Sequence, residues 1–206
     1  MLLDFEKIIR KYNLNIKGII HIGAHYGQEH KLYIKNEIKN IIYFEPLSDN
    51  FLKLKNNVND DATLYNMALG CENKEIEMFV ESNNKGQSSS ILEPILHLKQ
   101  YPNITFDKKE KVIMKKLDDI EIDYEKFNFI NIDVQGYELE VFCGAKNVLE
   151  KIDYIISEVN RAELYKDCAK INELEQFLNN FGFELAEVDW VGNTWGDAFF
   201  IKKISK

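Results

Sequence analysis

Short apolar, β-branched runs alternate along this chain with longer stretches whose apolar residues recur at helical spacing, the pattern of a parallel sheet covered by helices. A helix is predicted from Asp4 to Tyr12, where Phe5, Ile8, Ile9 and Tyr12 share one face. The strand Ile19-Ile20-His21-Ile22 follows and runs into Gly23-Ala24-His25-Tyr26-Gly27. Gln28 to Asn36 is expected to be helical, and Ile41-Ile42-Tyr43-Phe44 forms a second strand ending at Glu45-Pro46. Ser48 is placed to cap a helix with the buried stripe Phe51, Leu54 and Val58, and Thr63-Leu64-Tyr65 reads as a short third strand.

The middle of the chain is less regular. Glu75 to Val80 and Lys111 to Lys116 read as added strands, Ser82 to Ser90 as a polar loop, and Glu93 to Gln100 as a short helix. Regularity returns with a strand from Phe127 to Ile132 that ends at Asp133, a helix from Tyr137 to Leu149 and a strand from Tyr154 to Val159. A helix from Ile171 to Asn180 is stopped by Gly182. Two closing strands, Phe183 to Val188 and Ala198 to Ile201, are joined by a glycine-containing loop, which predicts an antiparallel edge where a plain dinucleotide fold would add parallel units. The fold class expected is α/β and Rossmann-like: a mostly parallel seven-stranded sheet, helices on both faces, and an antiparallel C-terminal edge strand.

Length and charge narrow the function. The 206 residues suit a single domain spanning 1–206. A net charge of −8, with Arg10 and Arg161 as the only arginines, argues against a nucleic-acid partner, since phosphate binding needs Lys and Arg. Cys71, Cys143 and Cys168 lie far apart with no zinc-type spacing, which suits free thiols in a reducing compartment. Met1 to Asn15 lacks the apolar stretch of a signal peptide, and no apolar run approaches the roughly 18 residues of a membrane span. A soluble, cytoplasmic protein without a membrane partner is expected; the oligomeric state is not legible.

The candidate chemistry sits at strand ends. Gly23 and Gly27 bracket a turn between a buried strand and a helix, where backbone can approach a ligand closely. The pattern is GxxxG, and His25 stands where a dinucleotide-binding loop wants glycine for its pyrophosphate, so a cofactor without pyrophosphate is favoured. His25 either contacts that cofactor or fills the turn. Glu45, at the end of the second strand, can accept both ribose hydroxyls or stand as a solvated loop carboxylate. Asn66 can reach the adenine edge or simply form the turn after the third strand. Asp133 and Gln135 are delivered to the carboxyl end of a buried strand, the usual ligand crevice of open α/β sheets; Asp133 could instead merely cap the following helix. Glu138 and Glu140 read as first-turn acids favoured by the helix dipole. His21 reads as a core residue, and His30 and His97 as surface residues.

These segments, taken in order, resemble the FkbM family of S-adenosylmethionine-dependent methyltransferases. The matching stretches are Ile22-Gly23-Ala24-His25-Tyr26-Gly27, Phe44-Glu45-Pro46, Asn66-Met67-Ala68-Leu69-Gly70, Leu117-Asp118-Asp119 and Ile132-Asp133-Val134-Gln135-Gly136-Tyr137-Glu138. Cys143-Gly144-Ala145 and Ser157-Glu158-Val159-Asn160 extend them, with Cys143 departing from the Lys usual there. The resemblance implies a Rossmann-like methyltransferase fold and O-methylation of a small-molecule or carbohydrate acceptor. It also implies a cofactor site for S-adenosyl-L-methionine drawn from Gly23, Ala24, His25, Gly27, Glu45, Asn66, Met67, Ala68, Asp133 and Gln135.

Asp133 and Glu158 end neighbouring strands and are the candidate catalytic pair, with Glu158 as general base or as co-ligand of a divalent metal such as Mg²⁺. Ser89 and Ser90, in the loop Gln87-Ser88-Ser89-Ser90, are candidate acceptor or cofactor contacts, or part of a merely flexible polar loop, and Trp195 is a candidate acceptor contact; for Trp190 core packing is expected. The irregular residues, about 71 to 116, are expected to shape the acceptor pocket. Two other classes stay open on the residues alone: an NAD-type oxidoreductase using the same turn and Glu45, and a non-catalytic module that binds the cofactor or a partner.

Overall fold

Buried apolar strands account for the centre of a computed structural model that describes residues 1–58 and 62–203. The strands are β1 (Gly18–Ile22), β2 (Asn40–Phe44), β3 (Thr63–Tyr65), β4 (Ala68–Leu69), β5 (Lys74–Val80), β6 (Lys108–Lys115), β7 (Phe129–Ile132), β8 (Tyr154–Asn160), β9 (Phe183–Val191) and β10 (Trp195–Lys202). Seven of them form one sheet in the order β3-β2-β1-β7-β8-β10-β9, and β4-β6-β5 form a second, three-stranded sheet. Pairing is parallel from β3 to β8, and β10 runs antiparallel to both β8 and β9. The seven-stranded, mostly parallel sheet with an antiparallel edge is the expected architecture.

Strand alternation sorts the core into two layers. Ile20, Ile22, Ile42, Phe44, Ile130 and Ile132 face one apolar cluster, which also takes in residues of the second sheet. Ile19, Ile41, Tyr43 and Phe129 face the other. The first layer is closed by the helices α5 (Glu138–Cys143), α6 (Lys146–Leu149) and α7 (Ile171–Asn179). The second is closed by α1 (Phe5–Tyr12), α2 (His30–Lys35) and α3 (Ser48–Val58). A further short helix, α4 (Leu96–Gln100), lies in the irregular middle. The chain leaves β1 toward β2 on one side and returns as β7 on the other, so a crevice opens at the carboxyl ends of β1 and β7.

Several elements depart from the sequence pattern, each for a tertiary reason. The helix expected from Tyr137 to Leu149 is broken into α5 and α6 at Gly144, where a Cβ would stand 2.0 Å from the Gly70 carbonyl oxygen. The second half is capped from afar: Asp118 Oδ1 accepts from the backbone N–H groups of Asn147 and Val148, both at 3.0 Å. Ser48 does not cap α3; its N–H and Oγ–H both donate to Glu110 Oε1, at 3.0 and 2.8 Å. Asp4 does cap α1, accepting from Lys7 N at 2.9 Å. The helix expected from Glu93 starts only at Leu96, because Pro94 is held in a bridge with Tyr165. His30 and His97, expected at the surface, are both buried. The His30 ring lies 3.1 Å from the Tyr43 hydroxyl, and His97 packs among Tyr101, Phe106 and Tyr165. Among the described residues no helix is long and apolar enough to cross a membrane.

Candidate functional site

The turn after β1 is pinned from two sides. The N–H groups of Gly23 and Ala24 both donate to the Phe44 carbonyl at the end of β2, at 2.9 and 3.0 Å. Gly23 has φ of +78°, and a Cβ there would lie 1.9 Å from the Asp133 carbonyl oxygen at the end of β7. Glycine is therefore required twice over, by conformation and by contact. His25 also takes a positive φ, 49°, and its ring stacks on Tyr26 at 3.6 Å. His25 Nε2–H donates to the Lys85 carbonyl at 2.8 Å, and the Tyr26 hydroxyl donates to the same oxygen at 2.9 Å. The polar loop 82–90 is thus tied down beside the turn. Gly27 lines neither cavity described below and packs on Leu54 and Val58 of α3.

Glu45 is buried, and its two carboxyl oxygens accept from His25 N at 2.8 Å and Leu47 N at 2.9 Å. Burial pushes its pKa up to about 8. Beside it lies a narrow, mostly apolar cavity walled by Phe44, Leu47, Met67, Ala68, Met78 and Ile91. Met67 and Ala68 are where the sequence placed them. Asn66 is not in the wall; its amide donates to the Glu45 and Pro46 carbonyls, both at 2.9 Å, and so braces the loop that carries Glu45.

A second, wide cavity of mixed polar and apolar lining has a volume of about 470 Å³ and includes Asp133, Gln135, Glu158 and Asp197 in its wall. Gln135 Nε2 donates to Asp133 Oδ1 at 2.8 Å and to Glu158 Oε2 at 2.5 Å, while Gln135 Oε1 accepts from the Tyr165 hydroxyl at 2.8 Å. Burial, and then the adjoining Asp133 carboxylate, raise the Glu158 pKa well above the ordinary carboxyl range. Both causes favour the protonated form of Glu158. Glu138, expected to be a first-turn acid, is buried and accepts from Val134 N and Gly136 N at 3.1 Å each, shaping the turn that aims Gln135.

The two serines part company. Ser90 is fully buried and donates to the Gln135 carbonyl at 2.8 Å, so it braces the site from behind and touches neither cavity. Ser89 lies in the wall of the narrow cavity, on the Glu45 side. Trp195 lines the wide cavity, its Nε1–H bonded to the Tyr101 hydroxyl at 2.9 Å, while half-buried Trp190 lies beneath the Arg161 guanidinium at 3.7 Å. Gln87, from the loop singled out in the sequence, lines both cavities, whereas Tyr165 and Asp197 carry no signal in the sequence and His97 is buried against expectation. Among the described residues no group of three or more His, Cys, Asp and Glu is placed to hold a metal ion, so the divalent ion allowed for at Asp133 and Glu158 finds two carboxyls without a third such ligand.

Comparison with known proteins follows the same lines. The family model of the methyltransferase FkbM domain matches residues 21–185. The 2-O-methyltransferase NoeI of Sinorhizobium fredii (strain NBRC 101917 / NGR234) is 29% identical over 174 residues, covering 79% of this chain and 71% of that protein. A Listeria monocytogenes structure assigned as an S-adenosylmethionine-dependent methyltransferase superposes with a TM-score of 0.57 at 10% identity, covering 97% of this chain and 98% of that one. Magnesium protoporphyrin IX methyltransferase (ChlM) from Synechocystis PCC 6803, solved with bound SAM, gives a TM-score of 0.54 at 8% identity, covering 96% and 76%. At these identities the structures are alike in fold.

Proposed function

This chain belongs to the methyltransferase FkbM family, and we propose that it moves a methyl group from S-adenosylmethionine to a hydroxyl oxygen of a sugar or other small metabolite. The observation that carries the reading is the junction of the two cavities, which share Gly23, His25, Gln87, Asp133 and Gln135. A nucleoside in the narrow one and an acceptor in the wide one would meet at Asp133. The donor set fits the cofactor: Glu45 has only backbone N–H groups and the Asn50 amide as partners, and a vicinal diol offers its remaining lone pairs two more donors. Met67 and Ala68 would flank the base, and Gly23, Ala24 and His25 would border the amino-acid end. Bound there, S-adenosylmethionine supplies a methyl carbon whose bond to sulfur breaks as its bond to the acceptor oxygen forms.

The protein's part is to take the proton that oxygen loses. Gln135 holds the Asp133 and Glu158 carboxyls together, and their proximity lets the pair keep one proton and one negative charge. We assign that monoanionic pair, not Glu158 alone, as the base. We also read residues 1–206 as one domain, because Ala68, Met78 and Met114 of the small sheet share a core with Ile22 and Ile132 of the large one. A cytoplasmic location, and an acceptor that is not nucleic acid, are supported by three free cysteines and the net charge of −8.

Titration with S-adenosylhomocysteine, with NAD as control, tests the cofactor half. The diol stabilises ionised Glu45, so its pKa of about 8 must fall on binding and a proton must leave. Calorimetry at pH 7.5 in buffers of different ionisation enthalpy should register that release, and Glu45→Gln should abolish it and weaken binding by about tenfold or more. Equal binding of NAD, or none of S-adenosylhomocysteine by folded protein, would end this reading. The same shift sets a pH dependence of folding. Glu45's contribution is complete below its ordinary value of 4.5 and is lost as pH rises toward 8, so the unliganded protein should melt lower at pH 8.5 than at pH 6.

A further inference from the structure

The wide cavity has an aromatic wall that none of the residues assigned above supplies, except for Trp195. His97, Tyr101, Ile104 and Leu164 line it together with that indole. Among the described residues, every buried side-chain nitrogen or oxygen that lacks a hydrogen-bond partner belongs to His97, Asn160 or Thr194. All three adjoin this wall. Thr194 precedes Trp195, Asn160 is the cross-strand partner of Trp195, and the His97 N–H donates to the Leu164 carbonyl at 3.1 Å. Folded interiors rarely leave such groups unpaired, and of the three residues only His97 lines the cavity, so its Nδ1 is the group for which a ligand can bring a partner. The Tyr101 hydroxyl accepts from Trp195 Nε1 at 2.9 Å and from Gln100 Nε2 at 3.0 Å, which leaves its own proton to give.

Charge narrows the ligand further. Among the described residues no lysine or arginine lines the cavity, whereas Glu29, Asp133, Glu158 and Asp197 all do. An anionic group entering it would meet four carboxyl groups and one cation, the Met1 amino group, which already pairs with Glu29 at 3.5 Å. We propose that the wall around His97, Tyr101 and Trp195 is the acceptor subsite, that it takes an uncharged pyranose-type ring bearing neither phosphate nor carboxylate, and that His97 reads its hydroxyls. The inference rests on the hydroxyl-methylation reading and gives its acceptor a chemistry. Aromatic faces suit the C–H faces of a sugar ring, and a polar wall suits its hydroxyls. Burial lowers the His97 pKa, so the imidazole is neutral and offers one donor and one acceptor, as a hydroxyl does.

The test uses the full chain saturated with S-adenosylhomocysteine, in a Trp190→Phe background that leaves Trp195 as the fluorescent reporter. It is titrated with neutral methyl pyranosides and with the matched sugar 6-phosphates and uronates; the same sugars are then offered with labelled S-adenosylmethionine. A neutral pyranoside should bind saturably, its anionic counterparts at least about tenfold more weakly. His97→Ala should weaken sugar binding by about tenfold or more, with S-adenosylhomocysteine affinity unchanged, and Tyr101→Phe, which keeps the ring, should weaken it less. Anionic sugars that bind equally well, absence of binding by every neutral ring, or a Tyr101→Phe variant with full affinity alongside an unaffected His97→Ala would overturn the subsite. If neutral sugars bind as described but receive no methyl, the subsite stands and hydroxyl methylation of sugars is the reading that fails. If methyl passes to a hydroxyl regardless of sugar charge and of His97, the subsite fails and the methyltransferase reading stands.

Discussion

Asp133→Asn should lower the rate of methyl transfer by about a thousandfold while leaving S-adenosylhomocysteine affinity within about tenfold of the parent. Asparagine keeps the shape and one oxygen for the Gln135 amide, which donates to Asp133 Oδ1 at 2.8 Å. What it removes is one carboxylate of the Asp133–Glu158 pair, so that Glu158 must itself ionise before any acceptor for the hydroxyl proton is present. The base must be in its ionised form, so the parent rate should rise with pH until the pair has lost the first of its two protons, and then level off. In Asp133→Asn that rise should move, because the carboxylate that helps raise the Glu158 pKa is gone. Single-turnover rates across pH 6 to 10 would measure both effects. A variant that retains more than about a tenth of the parent rate would take the pair out of the proton transfer.

Gly23→Ala should be the most damaging substitution to stability and ligand binding together. The added methyl would lie 1.9 Å from the Asp133 carbonyl oxygen and 2.8 Å from its carbon, at a residue with φ of +78°. Neither neighbour is a flexible side-chain tip. Relief requires parting β1 from the end of β7, where Asp133 N donates to the Ile22 carbonyl at 3.0 Å. A loss of about 3 kcal/mol or more is expected in denaturant titrations, with cofactor binding abolished. Gly192→Ala is the control: its φ is +58° but nothing lies within 4 Å, so only the left-handed backbone penalty of about 1 kcal/mol applies. Equal midpoints for the two variants would mean that the β1–β7 junction yields freely.

The narrow-cavity side of this site is legible in the sequence because it is built from short contiguous segments. Gly23, Glu45 and Asp133 each end a buried strand, and strand ends can be read from a run of Ile, Tyr and Phe followed by a break. The acceptor side was not legible. His97, Tyr101 and Tyr165 come from irregular segments with no hydrophobic period, and they meet only after the chain has folded around Pro94 and Leu164. His97 was assigned to the surface because a lone histidine beside leucines carries no local sign of burial. The helix break at Gly144 and the transfer of Ser48 to Glu110 were hidden for the same reason: each is decided by a residue distant in sequence. Ser90 was placed in the right region and given the wrong task, since sequence position cannot separate a contact from a brace one layer behind it.

The two cavities share Gly23, His25, Gln87, Asp133 and Gln135 as a common partition. Any rearrangement of that partition when one chamber fills is felt in the other, and thermodynamic linkage makes the effect mutual. By whatever factor the nucleoside tightens the hold on the acceptor, the acceptor tightens the hold on the nucleoside by the same factor. The order in which substrates are recruited, and which product lingers, is then a property of a wall only five residues wide.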